Sequence, residues 1–163
     1  MYISKWISYN MDQQNIDTYW QQFLATHPDT PPDTVFIAER FGDSPELADE
    51  LAALIIDGTK TATCSALWEW EFESEPLPEI GTLTILLNGD DEPLCVIETT
   101  EVTIRPYNEV DAQFAFEEGE GDRSLEYWRD AHWHFFSRVL PAIDKTPTQD
   151  MPLVCERFKV IYR

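Results

Sequence analysis

The sequence predicts an α+β fold, and three observations carry that prediction. Residues 12–26 and 125–140 place their apolar side chains at helical spacing. Between them, residues 81–87 and 93–104 are rich in Thr, Ile, Val and Leu. They are separated by Asn88-Gly89-Asp90-Asp91-Glu92, a turn cluster containing the hairpin-forming Asn-Gly pair. Residues 153–162 alternate well enough to form a closing strand.

Taken in order, the first helix presents Ile16, Tyr19, Trp20, Phe23 and Leu24 on one side and stops at His27-Pro28. A connector over residues 28–33 leads to a short strand over 34–40. Asp43-Ser44-Pro45-Glu46 combines a cap residue, an early proline and an acidic group, which together mark a helix start. Leu47, Leu51, Leu54 and Ile55 supply that helix's buried stripe, and Gly58 sits where a left-handed cap belongs. The helix therefore delivers Thr59-Lys60-Thr61-Ala62-Thr63 as an exit turn.

From Thr61 onward, small and β-branched residues give way to Trp68, Trp70 and Phe72 on alternate positions. That spacing predicts a strand with one aromatic face, broken by Pro76 and Pro78. The second strand of the hairpin is long enough to bend. Residues 114–122, which include Glu117-Glu118-Gly119-Glu120-Gly121-Asp122, are expected as a loop before the helix that carries Leu125, Trp128, His132, Phe135 and Val139 on one face.

An apolar fraction of 43% with six Trp, nine Phe and six Tyr belongs to a chain that packs a core. At 163 residues, roughly 70% of the unfolded surface can be buried, so one domain over residues 1–163 is expected. Cys64, Cys95 and Cys155 are widely spaced, matching neither a disulfide framework nor zinc-site spacing. Residues 1–10 lack a signal-peptide core and the longest apolar run, 51–56, is too short to span a bilayer. A cytoplasmic protein with no membrane partner is expected. Thirty-one acidic against eleven basic residues give a net charge of −20, which opposes non-specific binding to double-stranded DNA.

Reactive groups concentrate in two places. The turn at 58–65 carries Lys60 among hydroxyls. Its bland reading is a helix C-terminus where Lys60 complements the dipole. Its functional reading makes Lys60 a general base, Thr63 a nucleophile and Glu118 a proton shuttle, able to hydrolyse an amide or ester. A close carboxylate favours charged lysine, so that mechanism depends on burial outweighing the pairing. The acidic glycine loop is either a solvated turn or a divalent-metal site built from Glu117, Glu118, Glu120 and Asp122, whose spacing is not that of an EF-hand. His132 on an apolar helix face fits a hydrogen-bonded core residue, with an acid-base or ligand-binding role as the alternative. Trp68, Trp70 and Trp128 are candidates to stack on a base, although aromatics at such spacings commonly serve the core.

Phe41-Gly42-Asp43, Leu51-Ala52-Ala53-Leu54 and Gly58-Thr59-Lys60-Thr61-Ala62-Thr63-Cys64-Ser65 together resemble the opening helix and signature turn of ASCH domains. Glu117-Glu118-Gly119-Glu120-Gly121-Asp122, with Ser124-Leu125, Trp128, Arg129 and His132, resembles the second block of a longer bacterial branch of that family. The resemblance covers residues 36–140, with the 12–26 helix packed on that core. It implies a PUA-like β-barrel flanked by helices, with a cleft for RNA or a nucleoside. One small ASCH subfamily removes the acetyl group from the exocyclic amine of acetylated cytidine with a Lys, a Thr three residues later and a downstream Glu. In this chain Lys60 and Thr63 match the first two, and Glu118 is the best candidate for the third. The resemblance further implies Ser65, Trp68, Glu120, Asp122, Trp128 and His132 as ligand-binding candidates. This chain is longer at both ends than that subfamily and its acidic stretch is longer, which leaves open whether Glu117, Glu118 or Glu120 faces the cleft. A relative of the longer branch is a metal-dependent ribonuclease. The expected partners are thus a small nucleoside or single-stranded RNA. The amidohydrolase needs no cofactor, the ribonuclease needs a divalent cation, and a module that only binds RNA needs neither.

Overall fold

The computed structural model describes residues 13–163. Expectations placed on residues 1–10, and on residue 12 as a helix start, fall outside them. The first helix, α1 (Gln13–Thr26), buries Ile16, Trp20 and Phe23. Strand β1 (Phe36–Glu39) precedes helix α2 (Pro45–Asp57). There the N-cap is Ser44, whose Oγ accepts from the Leu47 amide at 3.2 Å. Asp43, expected in the cap region, instead receives Arg138 at 2.9 and 3.2 Å. The buried face of α2 is Ala48, Leu51, Ala52 and Ile55, with Leu47 and Leu54 only half-buried. Gly58 closes the helix at φ 86°, in the left-handed region that glycine adopts without a Cβ penalty.

Strand β2 (Ala62–Ala66) follows, and then the chain departs from expectation. Residues Leu67–Glu73 form a helix, α3, and do not continue the strand. Residues two apart are separated by about 200° around a helix, so the alternate aromatics scatter. Trp70 is buried with Nε1 donating to Ser65 Oγ at 2.9 Å, while Phe72 is 58% exposed. The interleaved acid decides the outcome: Glu69 Oε2 accepts from the Ala66 amide at 3.1 Å, satisfying a group that a helix start leaves unpaired.

Strands β3 (Leu83–Leu87) and β4 (Pro93–Pro106) form the expected hairpin. Asn88 Oδ1 accepts from the amides of Asp90 and Glu92 at 2.9 and 2.8 Å and fixes the turn. The bend of β4 is real, since its register with the last strand shifts at Val96/Ile97 and again at Thr99/Glu101. Residues 114–118, expected as part of a loop, belong to a short helix, α4 (Ala112–Glu118). Asp111 caps it by accepting from the Phe114 amide at 2.8 Å, and Gly119 ends it at φ 76°. Seven residues are too few for a periodic signal. Helix α5 (Leu125–Val139) buries Trp128, His132 and Phe136. The final strand, β5 (Pro152–Tyr162), completes one sheet of order β1-β3-β4-β5-β2. Among the described residues only β1 and β3 pair in parallel.

All five residues of β3 are buried because helices cover both faces. Leu83, Ile85 and Leu87 meet Ile16, Trp20 and Phe23 of α1. On the other side Leu86 joins Ala52 and Ile55 of α2, together with Phe158 of β5. A third cluster lies where β2 and β5 meet α4 and α5, built on Phe114, Trp128, Phe136 and Leu153. The ends of α2 and α4 thereby converge on β2. Among the described residues no helix is long and apolar enough to cross a membrane.

Candidate functional site

The turn leaving α2 is held from three directions. The Lys60 amide donates to Leu54 O at 2.9 Å, the Thr61 amide to Glu117 O at 2.8 Å, and the Phe158 amide to Thr61 O at 3.0 Å. A Cβ on Gly119 would stand 2.7 Å from Thr59 O, so glycine is what lets the end of α4 lie against this turn. That close approach brings Glu118 to Lys60.

Both side chains are about 1% exposed. Lys60 Nζ donates to Glu118 Oε2 at 2.6 Å, to Glu118 O at 3.3 Å and to Glu120 Oε1 at 2.9 Å. All three ammonium protons are committed, none of them to Thr63. Burial works against the charge of Lys60, but the Glu118 and Glu120 carboxylates reverse it and hold the ammonium above its ordinary pKa. Burial likewise opposes ionised Glu118, yet Lys60 and His132 keep its carboxyl well below the usual range. Pairing therefore wins over burial, and Lys60 rests as a cation where the sequence reading needs a neutral base.

The second Glu118 oxygen, Oε1, accepts from Trp128 Nε1 at 3.1 Å and lies 3.4 Å from His132 Nε2. His132 Nδ1 sits 2.9 Å from Trp128 O, which can only accept, so Nδ1 carries the hydrogen. A neutral ring would then face Glu118 with a bare nitrogen. Burial lowers the His132 pKa, and Glu118 more than offsets it, so the net shift is upward.

These groups line a cavity of about 450 Å³, which also takes in Thr63, Cys64 and Ser65 of β2, Glu156 of β5, and the aromatic rings of Phe41, Tyr127 and Phe135. The candidates Lys60, Thr63, Ser65, Glu118, Glu120 and His132 thus share one cavity. Others lie elsewhere. Trp68 on α3 packs on the core, with the Lys145 ammonium 5.3 Å from its ring centre. Trp128 is buried and stacks on His132, acting through its N–H on Glu118 and offering no face to the cavity. Asp122 closes the turn ahead of α5 by accepting from the amide of Ser124, the helix's N-cap, at 2.9 Å.

The four acids offered as the alternative metal set of the acidic loop do not converge on one point. Glu117 turns away to Arg157 at 2.6 Å, Asp122 is taken up by the turn at Ser124, and Glu118 and Glu120 converge on an ammonium. A different trio, Cys64, Glu118 and His132, has donor atoms within 4.8 Å of one another. Burial and Glu118 hold the Cys64 thiol protonated, and Lys60 already supplies the positive charge, so this trio is a poor cation cage.

Sequence reasoning missed Phe41, Tyr127 and Phe135 as the aromatic wall, and Glu156 altogether. Phe41 stood in plain view in the Phe-Gly-Asp motif. Glu156 offers no local signal, because its place depends on the pairing of β5 with β2.

The sequence profile of the ASCH domain matches residues 37–162. An ASCH domain of Lactobacillus crispatus JV V101, known as a high-resolution crystal structure, is 35% identical. It superposes with a TM-score of 0.84 over 96% of this chain and 99% of its own. A protein of Enterococcus faecalis V583 is 38% identical, with a TM-score of 0.84 over 92% of this chain and 90% of its own. The sequence matches no curated protein. The mixed sheet flanked by helices is the PUA-like arrangement of those ASCH structures. On profile, fold and the turn at Lys60 together, the chain belongs to the ASCH domain family.

Proposed function

We propose that the cavity binds the base of a modified nucleoside and hydrolyses an acyl group from its exocyclic amine, as in an acetylated cytidine. The observation that carries this reading is the fully buried Lys60–Glu118 pair in the wall of a ligand-sized cavity. A buried charge pair is a poor source of stability, so its presence at a cavity argues for use. A volume of about 450 Å³ suits one nucleoside, and Phe41, Tyr127 and Phe135 offer ring faces to a base. Each of the three Lys and Arg side chains in the cavity already has an acidic partner: Arg40 has Asp91, Lys60 has Glu118 and Glu120, and Arg138 has Asp43. No spare cation awaits a phosphate, which favours a small uncharged ligand over an RNA strand.

In this mechanism the Thr63 hydroxyl attacks the acyl carbon. The Lys60 ammonium, charged at rest, stabilises the negative oxygen of the tetrahedral intermediate. Glu118 keeps Lys60 charged and aimed, and Glu120, 21% exposed, is the partner that yields when a ligand enters. The test is incubation with acetylated cytidine and chromatography for cytidine, comparing the unmutated chain with Lys60→Ala. Loss of this charge is expected to lower kcat by roughly 10²–10³-fold. Full activity in Lys60→Ala would sink the reading, and saturable binding of the nucleoside with no product would make the cavity a binding site alone.

A further inference from the structure

The mechanism above leaves the Thr63 proton without an acceptor. Lys60 is a cation with all three protons committed. Both oxygens of Glu118 are engaged, one by Lys60 and the other by Trp128 and His132. His132 spends Nδ1 on Trp128 O and turns Nε2 to Glu118. Glu50 and Asp130 sit exposed at the cavity mouth, where a carboxylate is a weak base.

Glu120 is held by Lys60, and Glu39 stands on β1 at the opposite edge of the sheet from Thr63, which leaves Glu156 as the carboxylate beside the nucleophile. Thr63 of β2 and Glu156 of β5 are directly opposed in the antiparallel ladder, and both line the cavity. Opposed residues project from the same face with Cβ atoms about 4.5–5.5 Å apart. A threonine hydroxyl and a glutamate carboxylate at that spacing meet through a rotamer change or one water. Glu156 Oε2 accepts from the Thr99 hydroxyl at 3.3 Å, and among the described residues Oε1 has no hydrogen-bond partner.

We propose that Glu156 is the general base that takes the proton from Thr63. The proposal rests on the hydrolase reading of the same cavity. As the Thr63 oxygen bonds to the acyl carbon, its proton passes to the Glu156 carboxylate and the carbonyl π pair moves to oxygen. Collapse breaks the carbon–nitrogen bond, and the departing amine takes the proton from Glu156. Water then attacks the acyl-threonine ester, with Glu156 receiving its proton and returning it to Thr63. The sum is amide plus water to amine plus acid, and no oxidant or cofactor enters. Burial pushes the Glu156 carboxyl up to about 7, against the Thr99 hydrogen bond that lowers it. Such a value suits a base working at neutral pH.

The test separates this assignment from the choice of substrate. The full chain, Glu156→Gln, Glu156→Asp and Thr63→Val are each given p-nitrophenyl acetate and, separately, acetylated cytidine. Nitrophenol release gives the rate and mass spectrometry locates the acetyl group. We expect acetylation of Thr63 in the unmutated chain, slowed by roughly 10²-fold or more in Glu156→Gln, with Glu156→Asp in between. If that pattern holds while acetylated cytidine is untouched, the nucleoside reading fails and the role of Glu156 stands. Equal acetylation rates in the unmutated chain and Glu156→Gln, or no acetyl on Thr63 in the unmutated chain, overturn the proposal.

Discussion

At Lys60 a residue that composition reads as a helix-end cation proves to be among the most deeply buried side chains of the fold. Leaving one member of such a pair alone is costly, because the survivor stays charged without compensation. Lys60→Met is expected to destabilise the chain by about 3–5 kcal/mol. The double variant Lys60→Met/Glu118→Gln is expected to recover part of that loss, since a glutamine amide keeps an oxygen for Trp128 Nε1 without a stranded charge. Urea unfolding of the cycle measures the coupling, and simple additivity would show that the pair does not act as a unit. The two segments that meet at the cavity were legible in the sequence, because a helix stop precedes Lys60 and a double-glycine loop carries Glu118, but which acid of that loop turns inward was not. The aromatic wall was not. Trp68 and Trp128 have the right chemistry but the wrong facing, and facing is set by packing partners that no local pattern names.

Among elements, the contact between the end of α4 and the turn after α2 makes the site. Gly58 and Gly119 both cap helices in the left-handed region, but a Cβ at Gly58 meets open space while one at Gly119 meets Thr59 and Lys60 backbone. Gly58→Ala is therefore expected to cost about 1–2 kcal/mol, the left-handed penalty alone. Gly119→Ala is expected to cost more than that, because it also pushes α4 off the turn. Denaturant midpoints of the two variants check the order, and equal costs would mean that α4 yields freely. The same contrast explains what was readable. Helix α2 announces itself through Ser44, Pro45 and Gly58, all local chemistry. Helix α3 hid behind its alternating aromatics, and α4 behind its brevity. The parallel pairing of β1 with β3 and the insertion of β5 between β4 and β2 join residues far apart in the chain, which periodicity does not report.

Over the whole molecule, a net charge of −20 and a few perturbed carboxyls set opposing pH limits. Burial pushes Glu69 and Glu156 from an ordinary 4.5 up to about 7, so folding favours their protonated forms. Their destabilising effect is present above pH 7 and fades as pH falls towards 4.5, in the same direction as the easing of charge repulsion. Glu118, Asp111 and Asp122 are shifted down, so the stability they contribute is present above their ordinary values and lost as pH falls beneath them. Thermal unfolding should therefore show greatest stability near pH 5–6, with decline on both sides. A stability that climbs steadily from pH 5 to 8 would contradict this balance. The place of β5 also bears on how the chain is born. Strand β2 has β5 as its ladder partner, so residues 62–66 leave the ribosome long before the segment that will hold them in register. Until residues 152–162 emerge, the nascent chain carries β2 unpaired and β4 open along one side. The cavity then lacks the strand that sets Glu156 opposite Thr63.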